Sequence, residues 1–372
     1  MERSGVRAPT ELLVLVLVMF VNLLGDIHVI HAEPKPLVPA FFIFGDSLID
    51  TGNNNYILTI ARANYPPYGI DIGSPTGRFS NGLTVVDYGA RFLGLPLILP
   101  YFSPSARGGN ILNGLNYASA AAGILEETGR NYGARLSFSG QLLLFEKTVN
   151  MDLPPLFQTR EALTNYLARS IFLINIGSND YINNYLLPGL YSTSQMFNGD
   201  QFANFLITAY SQQISLLHSL GARKIVLTGI GPLGCAPSQL SMSSGNDGCV
   251  QRVNNLAKIF NGRLLQMMKT LNASLPGSFF VYQDTYSFIS ELIKNPFRYG
   301  FRVPNQACCG IGRYGGLFTC LPLQPPCLNR DKYIFWDAFH PTQAVNAIVA
   351  KRCYIPNTTD CYPISILELA NI

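Results

Sequence analysis

The chain has 372 residues, of which 48% are hydrophobic and 13% are charged, and its formal net charge is +4. The apolar fraction is that of a globular protein with a buried core, and the length allows one large domain or two smaller ones. The charges are scattered without a basic run, so nucleic acid is not a predicted partner.

The first 32 residues are typical of a secretory signal peptide. Arg3 and Arg7 precede an apolar run, Leu12 to Leu24, that is too short for a transmembrane helix. Ala32 is a small residue at the expected cleavage edge. No later stretch is long and apolar enough to span a bilayer, so we predict a secreted, extracellular mature chain with no integral membrane span.

A candidate nucleophile follows the first predicted strand. The apolar run from Ala40 to Phe44 predicts a buried strand that stops at Gly45, and Asp46 and Ser47 come next. Ligands bind at the carboxyl ends of strands in open α/β sheets, so Ser47 becomes a useful nucleophile if a base can take its proton. A strand that ends in an ordinary polar turn is the alternative.

Strands and helical stretches alternate along the rest of the chain, which predicts a parallel sheet with helices on both faces. The helical spacing covers Val85 to Leu93 and Phe205 to Leu220, and the predicted strands are Gly114–Ala118, Ile171–Ile176, Lys224–Gly229 and Ser278–Gln283. Residues 64–69 and 77–82 are rich in turn formers. We interpret them as structural turns, with a place at a substrate mouth as the alternative.

The candidate base is near the C-terminal end. Beyond the leader the chain has two histidines, His218 and His340. His218 lies within a helical stretch and is expected to be a partly buried packing residue. Asp337 precedes His340 by three residues and can fold back to fix its tautomer, and Pro341 places the histidine in a loop before a helix. A helix cap beside a surface histidine is the alternative.

Asn179 is a candidate donor to an oxyanion. Gly177-Ser178-Asn179-Asp180 follows the strand Ile171–Ile176, as Asp46 and Ser47 follow the first strand. If the two strands are neighbours, the NH₂ group of Asn179 approaches Ser47. An Asx-turn that closes the loop is the alternative.

The eight cysteines all lie in the C-terminal part of the chain. An even number in a chain with a leader favours up to four disulfides, whereas the absence of a C-x2-C pair disfavours a zinc site. Pairs that would close short loops are Cys235/Cys249, Cys308/Cys320 and Cys353/Cys361, although the sequence leaves connectivity open. Asn272 and Asn357 begin glycosylation triplets, in agreement with secretion.

Four segments resemble conserved blocks of the GDSL esterase/lipase family, within the SGNH hydrolases. Gly45-Asp46-Ser47-Leu48, followed by residues 50–55, resembles the first block, and residues 114–123 resemble the plant form of the second. Residues 177–180 resemble the third block and residues 337–342 the fifth. The matches occur in family order and span nearly the whole mature chain.

This resemblance implies a three-layer α/β/α sandwich with a central parallel sheet, flavodoxin-like, as one domain over residues 33–372. It also implies a carboxylic ester hydrolase that acts on small-molecule or lipid esters. Ser47 is then the nucleophile, His340 the base and Asp337 the acid that orients it, with no metal or organic cofactor. The expected location is extracellular, including the cell wall or apoplast.

The resemblance further implies an oxyanion hole formed by Ser47, Gly123 and Asn179. Three alanines, Ala120 to Ala122, precede Gly123 where family members often have glycines, so the backbone donor of the second block is left open. Two other functions also stay open. One is an extracellular acyltransferase with the same triad, and the other is a non-catalytic secreted binding protein. The acyl chain length and the oligomeric state are not predicted.

Overall fold

A computed structural model of the protein describes residues 35–245 and 248–372. The predicted signal peptide, residues 1–32, lies outside the described residues, and residues 36–372 form one compact unit. The main sheet contains β1 Phe41–Gly45, β2 Ile171–Asn175, β3 Lys224–Thr228, β4 Phe279–Gln283 and β7 Cys361–Tyr362, and a second sheet pairs β5 Val303–Ala307 with β6 Tyr333–Phe335.

The main sheet has the order β1-β2-β3-β4-β7. Its first four strands run parallel, and β7 pairs antiparallel with the edge strand β4. Four predicted strands agree with β1 to β4 to within one residue at each end. Since parallel strands end on the same side, the segments that follow β1 and β2 meet at one edge of the sheet.

Helices occupy the connections between the strands. They are α1 Val85–Phe92, α2 Phe138–Lys147, α3 Arg160–Arg169, α4 Ser178–Asp180, α5 Thr193–Met196, α6 Gly199–Ser219, α7 Pro237–Met242, α8 Gln251–Ser274, α9 Thr285–Lys294, α10 Gln343–Cys353 and α11 Ile366–Ala370. Single 3-10 or π turns lie at Asn53–Tyr56, Ile70–Ile72, Gly108–Asn113, Arg130–Tyr132, Thr148–Asp152, Pro154–Leu156, Tyr181–Tyr185, Leu233–Cys235, Pro296–Tyr299, Arg313–Gly315 and Arg330–Lys332.

The alternation of side chains along the strands creates three layers. Phe42 and Phe44 of β1 pack on one face with residues of α2, α3, α6 and α8. Phe41 and Ile43 pack on the other face with residues of α1, α10 and α11. Because successive side chains of a strand point to opposite faces, strands that are apolar throughout must be covered on both sides. The predicted three-layer α/β/α sandwich is therefore confirmed, with one antiparallel strand at its edge.

The predicted strand at residues 114–118 is wrong as a regular element. Leu115 and Tyr117 do flank β1 in parallel, because the Ile43 N–H donates to the Leu115 carbonyl (3.0 Å) and the Tyr117 N–H donates to the Ile43 carbonyl (2.8 Å). However, the side chain of Asn116 bonds to backbone groups near it. It donates to the Ile49 carbonyl (2.7 Å) and accepts from the Ala118 N–H (2.8 Å). The segment thus makes one isolated bridge to β1 and one to Pro100, not a ladder.

The helix predicted from Phe205 to Leu220 begins six residues earlier, at Gly199 (205 − 199 = 6). Asn198 caps it, since its side chain accepts from the N–H groups of Asp200 and Gln201, and the Gln201 side chain accepts from the Asn198 N–H. This capping box was readable in the sequence and was missed. Within the described ranges, no helix combines the length and apolar character needed to cross a membrane.

Four disulfides lie in the described part of the chain and correct one predicted pair. They are Cys235–Cys249, Cys308–Cys327, Cys309–Cys320 and Cys353–Cys361. The predicted pair Cys308/Cys320 is wrong. Cys320 is bonded to the neighbouring Cys309, and Cys308 is bonded to Cys327. The two cysteines are adjacent in the chain, so the loop-closing pattern of the sequence cannot tell which of them bonds to Cys320.

A buried ion pair fixes the loop that leads into α1. The guanidinium of Arg78 donates two bonds of 2.7 Å to the carboxylate of Asp87. Asp87 also accepts from the N–H and hydroxyl of Thr84, both at 2.8 Å, which caps α1. The arginine of residues 77–82 therefore has a structural partner, whereas the neighbouring Phe79 lines the cavity described below.

Replacement of this arginine should be costly. Arg78→Ala leaves the buried Asp87 without its cation, and we expect a loss of about 3–5 kcal/mol in the free energy of unfolding. Urea denaturation with the disulfides intact measures this loss. Lys147→Ala breaks the more exposed pair with Asp152 and serves as the control, with an expected loss below about 1 kcal/mol. Equal losses in the two variants would contradict the assignment.

Candidate active site

Ser47 follows β1 directly at the edge where the parallel strands end. The turn requires Gly45, because a Cβ atom there would lie 2.2 Å from the carbonyl oxygen of Asn175 in β2. The buried side chain of Gln141 bonds to both backbone polar groups of Gly45, where β1 ends. Its Oε1 accepts from the Gly45 N–H (2.8 Å), and its Nε2 donates to the Gly45 carbonyl (2.7 Å). Ser47 is thereby held half-buried on the wall of a cavity.

The structure brings Ser47, His340 and Asp337 together. The Ser47 Oγ lies 2.7 Å from His340 Nε2, and His340 Nδ1 lies 2.8 Å from Asp337 Oδ1. Asp337 is fully buried, and its Oδ1 also accepts from the N–H groups of Phe339 and His340, each at 2.9 Å. Burial by itself raises the pKa of Asp337, but the neighbouring His340 and these hydrogen bonds hold that pKa below its ordinary value. Asp337 is therefore ionised at neutral pH.

A tyrosine completes the surroundings of this carboxylate. The hydroxyl of Tyr68 donates to Asp337 Oδ2 over 2.6 Å. Burial, followed by the charge of Asp337, raises the pKa of Tyr68 well above its ordinary value, so the hydroxyl keeps its proton and acts as the donor. The interpretation of residues 64–69 as structural turns missed this contact. A buried tyrosine needs a partner for its hydroxyl, which was the available signal.

Asn179 lies on the same cavity wall as Ser47. Its Nδ2 donates to the Ala122 carbonyl (2.9 Å), and its Oδ1 accepts from the Asn183 amide (2.6 Å). Asn183 in turn accepts from the hydroxyl of Tyr132 (3.2 Å). These contacts fix the orientation of the Asn179 amide, whose second hydrogen meets no acceptor in the described part of the chain. That hydrogen is free for a ligand in the cavity.

The comparison with known families agrees with this geometry. The model of the GDSL-like lipase/acylhydrolase family matches residues 41–353. The chain belongs to this family. It is 60% identical over 342 residues to GDSL esterase/lipase 7 of Arabidopsis thaliana, covering 91% of this chain and 94% of the relative. It is 49% identical over 357 residues to GDSL esterase/lipase At1g29670 of the same plant, covering 95% and 98%.

Membership at this level of identity makes the protein a carboxylic ester hydrolase. A solved structure, a gut microbial diltiazem-metabolizing enzyme, overlaps 45% of this chain and 31% of its own, with a TM-score of 0.24 and 14% identity. That likeness is too weak to carry an argument about this esterase.

The second block of the GDSL family is placed differently from the prediction. Gly123 does not line the cavity. A Cβ atom there would lie 2.6 Å from Asp180 Oδ1 and 2.5 Å from a methyl of Thr128, so the glycine is needed for packing. Ala121 lines the cavity instead, with a positive φ of 65°. Its N–H has no partner among the described contacts. Of the two residues, Ala121 and not Gly123 therefore lies on the cavity wall.

The polar residues of the first block hold the second block in place. Asp50 accepts from the N–H groups of Gly52 (2.7 Å) and Ala120 (3.2 Å). The Asn54 side chain donates to the Ala120 carbonyl (3.2 Å) and accepts from the hydroxyl of Ser119 (2.6 Å). These side chains are buried, so their bonds are made within the protein and not with water. The run after Ser47 thus determines where Ala121 lies.

Ser47 and His340 open into a cavity of about 230 Å³. One group of lining residues is aliphatic: Leu48, Val85, Leu233, Ile289, Ile334, Val345 and Val349. Another group is polar or aromatic: Arg62, Tyr65, Tyr132, Ser178 and Asn183. A site lined largely by apolar side chains with a few convergent polar groups is typical of a small-molecule pocket.

The remaining predicted residues lie away from this cavity. His218 is half-buried on α6, and its Nε2 lies 3.1 Å from the Pro276 carbonyl. Asn272 and Asn357 are both exposed. No group of three or more histidine, cysteine or acidic residues within the described ranges is arranged to hold a metal ion.

Three buried aspartates, Asp46, Asp50 and Asp180, lie on the segments that follow β1 and β2. Burial raises the pKa of Asp46 to about 7, and it raises the pKa values of Asp50 and Asp180 to about 6. Asp46 Oδ1 accepts from the Leu48 N–H (3.0 Å), whereas its buried Oδ2 has no partner. Such a carboxyl is more easily kept in its protonated form.

The contact between Tyr68 and Asp337 should influence the rate. Tyr68→Phe removes one donor from the carboxylate, which typically costs about 1.5–3 kcal/mol, so we expect kcat to fall about tenfold or more with KM unchanged. The less stabilised Asp337 attracts the proton on His340 more strongly. The acidic limb of the pH–rate profile should therefore move to higher pH, which stopped-time assays across pH measure.

Tyr65→Phe is the matched control for this variant. Tyr65 lies in the same loop as Tyr68, but its hydroxyl donates to the Cys320 carbonyl (2.9 Å) and makes no hydrogen bond to Asp337 among the described contacts. We expect its acidic limb to remain at the wild-type pH. Identical pH profiles for the two variants would show that Tyr68 serves only the loop.

The raised pKa values predict how stability depends on pH. A carboxyl with a higher pKa in the folded state stabilises that state fully below about pH 4, and its contribution is lost as the pH rises through 6 to 7. We expect the melting temperature to decrease by a few degrees between about pH 5 and pH 8. Asp46→Asn should flatten this decrease, whereas Asp200→Asn, an exposed control, should not. An unchanged slope for Asp46→Asn would refute the assignment.

Proposed function

We propose that the protein is a secreted serine hydrolase that cleaves carboxylic esters through an acyl-enzyme on Ser47. The observation that carries this proposal is the continuous hydrogen-bonded chain from Ser47 Oγ through His340 to the buried Asp337, with contacts of 2.7 and 2.8 Å. Family membership supports the reaction class. The contacts support the roles of the individual residues.

In the proposed mechanism, the Ser47 oxygen attacks the ester carbonyl carbon while His340 Nε2 takes the hydroxyl proton. Asp337 stabilises the imidazolium that forms. Collapse of the tetrahedral intermediate breaks the bond to the alcohol oxygen, which receives the proton from His340. Water then attacks the acyl-enzyme with His340 as base again, and the carboxylic acid leaves with Ser47 restored.

Three donors are proposed to stabilise the oxyanion. They are the N–H groups of Ser47 and Ala121, neither of which has a partner among the described contacts, and the free amide hydrogen of Asn179. All three residues line the cavity. Loss of one such donor typically costs about 3–4 kcal/mol in the barrier. The proposal gives Ala121 the backbone role for which the family resemblance implied Gly123.

Secretion and glycosylation belong to the same proposal. The four disulfides of the described chain are of the kind that form in an oxidising compartment. Residues 1–32 are proposed to be the signal peptide that directs the chain there. Asn272 and Asn357 are exposed, as glycan acceptors must be.

A fluorophosphonate probe and a series of p-nitrophenyl esters of increasing chain length test the proposal. We expect wild-type protein to be labelled and to hydrolyse the esters. Ser47→Ala and His340→Ala should lower kcat by about a thousandfold or more, because members of a triad act as a unit. His218→Ala, which removes the other histidine of the predicted mature chain, is the control and should retain activity.

Other results would contradict the proposal in distinguishable ways. Labelling with acyl transfer to an added alcohol, but without hydrolysis, would identify an acyltransferase. Folded wild-type protein that is neither labelled nor active would favour a binding protein. Labelling of Ser47→Ala at the wild-type rate would place the nucleophile elsewhere.

A further inference from the structure

Arg62 lies on the cavity wall together with Ser47 and His340, and it is half-buried. Its position is set by the neighbouring turn, where the Ile60 N–H donates to the Tyr132 carbonyl (2.9 Å). The Tyr132 hydroxyl donates to the Asn183 side chain, which in turn donates to the Asn179 side chain. Arg62 is thereby tied to the wall that carries the proposed oxyanion donors.

Most of the hydrogen-bonding capacity of Arg62 is unused within the described protein. One terminal nitrogen, Nη2, donates to the Ile57 carbonyl. The buried Nε has no partner. None of the ion pairs in the described ranges includes Arg62, in contrast to Arg78, whose guanidinium faces the Asp87 carboxylate. A half-buried guanidinium without a counter-charge is therefore available to an anionic group that enters the cavity.

The charges on the cavity wall do not supply that partner. Asp46 is the one acidic residue among the described lining residues. Its bonds lie in the turn beside Ser47, where Oδ1 accepts from the Leu48 N–H. The cavity therefore combines an aliphatic part with a cation that has no carboxylate paired to it.

We infer that Arg62 binds an anionic group of the ester substrate, a carboxylate or a phosphate, while the hydrocarbon of that substrate contacts the aliphatic lining. The planar guanidinium suits both groups, because its N–H donors match pairs of anionic oxygens. This inference rests on the proposed function in taking the cavity as the ester site. It specifies the substrate class as amphiphilic esters with one acidic group.

Binding of ethers that cannot be hydrolysed tests the inference independently of catalysis. The probes are 4-butoxybenzoate and the neutral 4-butoxybenzamide, with isothermal titration calorimetry as the readout. A charge-assisted hydrogen bond is worth about 1.5–3 kcal/mol, so the benzoate should bind wild-type protein about tenfold or more tightly than the benzamide. Because the result is a ratio within one protein preparation, a loss of folded protein cancels.

The variants separate a specific contact from general attraction. Arg62→Gln should bring the ratio close to one, and Arg62→Lys should restore part of it. Arg130→Gln is the matched control, since Arg130 is exposed in the turn Arg130–Tyr132 and does not line the cavity. That variant should keep the wild-type ratio. A ratio near one in wild type, or one that survives in Arg62→Gln, would overturn the inference.

A third probe, 4-butoxyphenyl phosphate, distinguishes the two anions. Tighter binding of the phosphate than of the benzoate, lost in Arg62→Gln, identifies phosphate-bearing esters, and the reverse order identifies carboxylate-bearing ones. Hydrolysis of p-nitrophenyl butyrate is measured on the same preparation. If hydrolysis and probe labelling fail while the Arg62-dependent ratio is present, the proposed function fails and the anion site stands.

Discussion

The site depends on buried polar side chains that attach one loop to another. Asp50 and Asn54, just beyond Ser47, bind the backbone of Ala120 and the hydroxyl of Ser119. Regular sheet pairing does not reach this region, because the neighbouring segment forms a single bridge with β1. Hydrogen bonds from the side chains of Asp50 and Asn54 therefore connect the two loops where backbone pairing between strands is absent. Since their bonds are shielded from water, a substitution in either loop leaves a buried group unsatisfied and displaces the cavity wall.

The charged groups around Ser47 are separated by their environments. Asp337 is surrounded by donors and stays ionised, whereas Asp46, equally buried but with one oxygen unpartnered, has its pKa raised to about 7. Both carboxyls lie close to His340. The difference in hydrogen bonding lets one of them orient the imidazole as an anion, while the other is held nearer to neutrality. Position alone does not determine the state of an acid in this site.

Much of the fold could be predicted from the sequence, since the strands are continuous apolar runs and the blocks follow family order. Ser47, Asn179, Asp337 and His340 could be named as candidates from the sequence because each follows a recognisable local pattern. Tyr68 was not, because its partner is 269 residues away in the chain. The sequence also did not show that Ala121 lines the cavity in place of Gly123, or that Cys308 pairs with Cys327, for a related reason. Each depends on a neighbour one or two residues away that competes for the same contact, which local patterns do not rank.

The residues around Asp337 pack against disulfide-bonded cysteines. Tyr68 and Trp336 share one apolar cluster with Cys308, Cys309 and Cys320, and the Cys309 N–H donates to the Trp336 carbonyl (2.7 Å). The chain that carries Asp337 is thus anchored to covalent bonds that exist only where thiols are oxidised. The placement of Asp337 is consequently tied to the redox state of the surroundings in which the chain folds. Under reducing conditions the chain would lack the disulfides that hold this loop, even with Ser47, His340 and Asp337 all present.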